Sequence, residues 1–112
     1  MAASSFPVMS HPVVATVALV VHRAVNGLGA LPAAGARSLG VPRTSAAVGE
    51  RVTLDVVGST IVEAGAAVAN DALLETDALG RYITRTTGVA VARALQAAAA
   101  AGDKIEALLI VN

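Results

Sequence analysis

The chain has 112 residues, 55% of them hydrophobic but with only one Phe and one Tyr, and its eight basic and eight acidic side chains cancel. That length fits a single domain around one core, which must be built from Val, Ala, Leu and Ile. Balanced charge argues against the basic face of a nucleic-acid binder or a peripheral membrane protein, and the lack of Cys excludes disulfides and thiolate metal sites.

Residues 1–12 are small, polar and interrupted by Pro7 and Pro12, the character of an extended arm without fixed structure of its own. Phe6, Val8 and Met9 have nothing local to pack on. They are the candidate contacts of the chain with a neighbouring subunit or another protein, the alternative being a frayed terminus. Residues 13–21 form an apolar run of nine broken only by Thr16, against about 20 for a membrane-spanning helix. No basic residue precedes it, as a secretory leader would require, so the run reads as part of a long strand over residues 13–25. Asn26-Gly27 predicts a hairpin-type turn, with residues 28–31 returning beside that strand. Residues 32–38 are a loop, and Leu39-Gly40-Val41 is a short strand stopped by Pro42, which suits an edge.

The centre of the chain is residues 49–82. Apolar side chains alternate from Val52 to Val56, the period of a half-buried strand. Gly58-Ser59 reads as a tight turn, Ile61 restarts a strand, and Asp77 with Gly80 fits a type I turn. Residues 83–87 are strand-like and Gly88 breaks or bulges them. The Ala run at 96–101 admits a helix, drawn at most from 91 to 101; the preferred reading is a strand followed by one or two helical turns. Residues 105–111 form a last strand. Val41-Pro42-Arg43 followed by Ala47-Val48-Gly49-Glu50 is echoed by Val91-Ala92-Arg93 followed by Ala100-Ala101-Gly102-Asp103, so both segments are expected to do the same structural job. The expected fold is mainly β: a small β-barrel or β-sandwich, with an extended arm at 1–12, a single β-rich domain at 13–112 and at most one short helix near 96–101.

No constellation carries chemistry. His11 and His22 have no second ligand type at metal spacing, the carboxylates are scattered over turns and strand faces, and no serine sits in a nucleophile-elbow setting. The expected site therefore has no catalytic, cofactor or metal residues. An apolar excess over a thin Ala/Val core predicts burial against a partner or a second copy.

Leu39-Gly40-Val41, Ala47-Val48-Gly49-Glu50, the segment 56–65 (VVGSTIVEAG), Asp71-Ala72-Leu73, the segment 77–81 (DALGR), Gly88-Val89-Ala90 and Ala101-Gly102-Asp103 follow one another in a familiar order. Over roughly residues 30–112 the chain resembles the small capsid cement, or head decoration, proteins of tailed bacteriophages. The resemblance implies a compact β-rich structural protein, made in the host bacterial cytoplasm and carried on the outer capsid surface of the virion. It implies binding to the major capsid protein between capsomers, often as a homotrimer, and no enzymatic activity, cofactor, nucleic acid or membrane. Residues 1–29 depart from the shared pattern, so Phe6, Val8 and Met9 rest on the reading of the residues alone. The alternatives are another oligomeric β-domain binding DNA or a ligand, and a small enzyme.

Overall fold

β-Branched side chains with turn residues between them give seven strands and, among the described residues, no helix. The structure, a computed structural model, describes residues 4–112; residues 1–3 of the expected arm lie outside the described residues. The strands are β1 (Phe6–Val14), β2 (Val41–Pro42), β3 (Arg51–Glu63), β4 (Leu73–Thr76), β5 (Tyr82–Thr84), β6 (Ala92–Ala94) and β7 (Lys104–Leu109). They form one antiparallel sheet in the order β1-β3-β7-β6-β4-β5, with β2 on the other edge of β3 from β1. The sheet curls until Tyr82 of β5 bridges Ala64, just past the end of β3. No strand pair closes it into a barrel.

Three local expectations give way to long-range pairing. Gly58-Ser59 is not a turn: β3 runs through it for 13 residues. Gly58 instead takes φ +102° where β1 and β3 change register, Val8 being the extra residue on β1 and Val56 on β3. The long strand expected over 13–25 does not form. Its backbone groups are shared among separate partners, Ala15 with Gly49 and Glu50, Leu19 with Ala46, Ala24 with Gly80 and Val25 with Gly40, so β1 begins earlier and ends at Val14. The Ala run at 96–101 makes no helical turn, because Ala98 pairs with Val68 while Asp103 Oδ2 accepts the N–H groups of Ala99 and Ala100. Those outside partners outcompete the intrinsic helix preference of alanine.

The chain is built twice from one unit. β1 lies on β3 as the second half of β3 lies on β7: Val13 faces Val52 as Val62 faces Ile105, and His11 faces Leu54 as Thr60 faces Ala107. The bridges Leu19–Ala46 and Val68–Ala98 correspond, and so do the only two non-glycine residues at positive φ among those described, His22 (70°) and Asp71 (72°). Ala15, Leu19, Val25, Ala46, Val52, Leu54 and Val56 make one buried cluster. Their counterparts Ala64, Val68, Leu74, Ala98, Ile105 and Ala107 belong to the other, and Leu109, the counterpart of Val56, packs against it half-buried. The sequence echo at 47–50 and 100–103 is therefore structural: Glu50 and Asp103 each donate their N–H to the Ala three residues back and return a side-chain bond to its N–H. The other half of the echo is out by two residues, for Val41, paired with Asp55, corresponds to Arg93, paired with Leu108, and not to Val91.

Candidate contact surface

β1 is extended, and its backbone is stitched to β3 over nearly its whole length. Its side chains remain outside: Phe6 is 69%, Val8 79% and Met9 53% exposed. A strand held by its backbone while its apolar side chains face water gains little from the hydrophobic effect within one subunit. Ala15, next after β1, donates to Glu50 on the β3 side. Strand alternation then turns the backbone of Pro12 outward. At the other end Phe6 donates to Ser59 Oγ of β3, which turns Pro7 outward too. Two prolines thus remove donors from the free edge, a common protection against added strands. What β1 offers a partner is its side chains.

The three predicted residues share one strand but not one environment. Phe6 stands opposite Ser59, whose hydroxyl donates to Glu106 at 2.6 Å. Val8 is the unpaired residue of the bulge. Met9 lines an apolar hollow of about 200 Å³ with Leu39, Val56, Val57 and Val111. Leu39 and Val111, both exposed, were not legible in the sequence as neighbours of Met9. They meet Met9 only because the chain end folds back, Asn112 pairing its side-chain amide with the backbone N–H and C=O of Ser38.

A polar depression of about 350 Å³ lies between His22, Pro42, Arg43, Asp55 and Thr60. Its buried carboxylate is engaged on both oxygens, by Arg43 Nε at 2.6 Å and by Thr60 Oγ1 at 2.9 Å, and His22 Nδ1 is hydrogen-bonded to the Ile61 carbonyl. Elsewhere burial pushes Glu63 up, but Arg23 and Lys104 outweigh it and hold the carboxyl below its ordinary value. The Thr86 backbone N–H, with those of Thr87 and Gly88, holds Glu75 down likewise. These carboxylates fasten loops to the sheet.

Residues 5–109, nearly the whole chain, match the family described as phage cement protein. Comparison with curated proteins gave no match.

Proposed function

We propose, on the premise that the chain belongs to the phage cement protein family and so has a structural role at the phage capsid, that it binds the outer surface of the head between capsomers and stiffens it without catalysis. Its partner is the major capsid protein, and it acts as a homotrimer, made in the host bacterial cytoplasm and carried in the virion. Residues 1–12 serve as the contact arm and residues 13–112 as the folded body. Phe6, Val8 and Met9 are the anchors on the arm.

The observation that carries this reading is β1 itself, a nine-residue strand with eight exposed residues and four large apolar ones among them, Phe6, Val8, Met9 and Val14. Covering them on a partner is worth roughly 25 cal/mol per Å² of apolar area, and a symmetric lattice multiplies each modest contact. Because β1 is part of the sheet, removing it would bare the edge of β3, so point changes are the cleaner test. Phe6→Ser, Val8→Ser and Met9→Ser, singly and together, are expected to leave the circular dichroism spectrum unchanged. The triple variant should weaken binding to undecorated heads at least about tenfold, roughly 1.4 kcal/mol. Equal decoration by the triple variant and the parent chain would remove β1 from the contact. Failure of the parent chain to bind heads would end the cement reading for this chain.

A further inference from the structure

The two units carry one surface device in duplicate, and neither the family match nor β1 accounts for it. In the turn at 26–30, Asn26 Oδ1 accepts the N–H groups of Leu28 (2.9 Å) and Ala30 (3.1 Å), Gly29 donates to the Asn26 carbonyl, and Asn26 donates to Ala30. In the turn at 77–81, Asp77 Oδ1 accepts from Leu79 and Arg81 (2.9 Å each), Gly80 donates to the Asp77 carbonyl, and Asp77 donates to Arg81. Gly29 and Gly80 have the same φ, 76° and 77°. All four hydrogen bonds recur, with a leucine at the same place.

In both copies that leucine points away from the core. Leu28 is 79% exposed and Leu79 49%, yet a turn tip is where a soluble chain ordinarily places polar residues. The side-chain cap on each leucine N–H fixes the tip before any partner arrives, which lowers the ordering cost of docking. The two tips are also neighbours. Gly80 accepts the Ala24 N–H at 2.8 Å, and a Cβ on Gly80 would lie 3.1 Å from Leu31, so the second turn leans on both feet of the first. Chain reach then keeps Leu28 and Leu79 within roughly 25 Å of each other.

We propose that Leu28 and Leu79 are twin knobs of a two-point contact, each seated in a copy of the same apolar recess on the capsid shell. This rests on the cement reading above and adds the form of the contact. The occupant follows from the duplication: a partner met twice by one motif presents one surface twice, as a shell of identical subunits does, and two linked contacts hold far more tightly than one.

The chain has no Cys, so Leu28→Cys and Leu79→Cys each place a single photo-crosslinker. On undecorated heads both positions are expected to crosslink to the same segment of the shell protein. Leu28→Ser and Leu79→Ser should each weaken binding about tenfold, and the double variant at least about a hundredfold. With the parent chain bound, crosslinks to two unrelated segments, or a double variant that binds as tightly as the parent, overturn the twin contact and leave the cement reading standing. So does a double variant whose only change is a smaller self-associated mass, which would place the knobs between copies of this chain. Parent chain that does not bind heads overturns both.

Discussion

Gly58 is where β1 and β3 come closest. A Cβ there would sit 2.5 Å from the Phe6 carbonyl oxygen and 2.7 Å from the Val8 nitrogen, and its φ of +102° lies in a region that side chains rarely adopt. Gly58→Ala should therefore cost about 2 kcal/mol and speed hydrogen exchange across β1 while leaving β4 to β7 protected. Uniform loss of protection would show that β1 is not the element held there. Tyr82 is fully buried, and burial pushes its phenol well above its usual value; its hydroxyl has no partner at good geometry, though Ser38 lies near enough to oppose the shift. The sign follows from the unfolded phenol, which ionises near about pH 10, while the folded one stays neutral. Stability is then fully present below pH 10 and falls as pH rises above it. Tyr82→Phe is expected to flatten the alkaline limb of the unfolding midpoint against pH. An unchanged slope would assign alkaline loss to other groups.

The elements show which parts of the fold were legible. The strand at 51–56, the turn at 77–80 and the last strand were readable because each rests on local pattern: period-2 alternation, Asp and Gly at fixed turn positions, a β-branched run. Gly58-Ser59 was misread because a glycine at a bulge and one at a turn leave the same mark on a sequence. The apolar run at 13–21 and the Ala run at 96–101 were misread because their hydrogen bonds go to partners that sequence spacing cannot locate. The duplication surfaced only at 47–50 and 100–103, where the same backbone turn needs the same Gly and acid; elsewhere Leu54 answers to Ala107 and Leu19 to Val68, which keep burial and lose identity. The paired turns give a test at this scale. Asn26→Asp and Asp77→Asn keep the accepting oxygen and should change stability by less than about 0.5 kcal/mol. Ala at either position strips acceptors from two N–H groups and should cost about 1–2 kcal/mol. Chemical denaturation of the four variants measures it, and an alanine variant as stable as the parent would show the cap to be idle.

For the whole molecule, the fifteen large hydrophobic side chains exposed among the described residues exceed what β1 and the two turns account for. Val17, Val20 and Val89, for example, lie on neither. Such a surface fits the homotrimer proposed above, in which subunits cover one another. Light scattering at micromolar concentration is expected to give three times the 11.1 kDa chain mass. A single-chain mass, both free and on heads, would refute self-association.

β3 belongs to both clusters at once, its first half closing one and its second half the other over 13 uninterrupted residues. The two halves therefore cannot melt separately as beads of a repeat array can, and no cut in the sequence leaves each with its own complement of strands. Heating should give one calorimetric peak whose van't Hoff and calorimetric enthalpies agree. On the shell contact proposed above the same continuity is mechanical: strain entering through β1 passes into β3 and along its single backbone towards the far core.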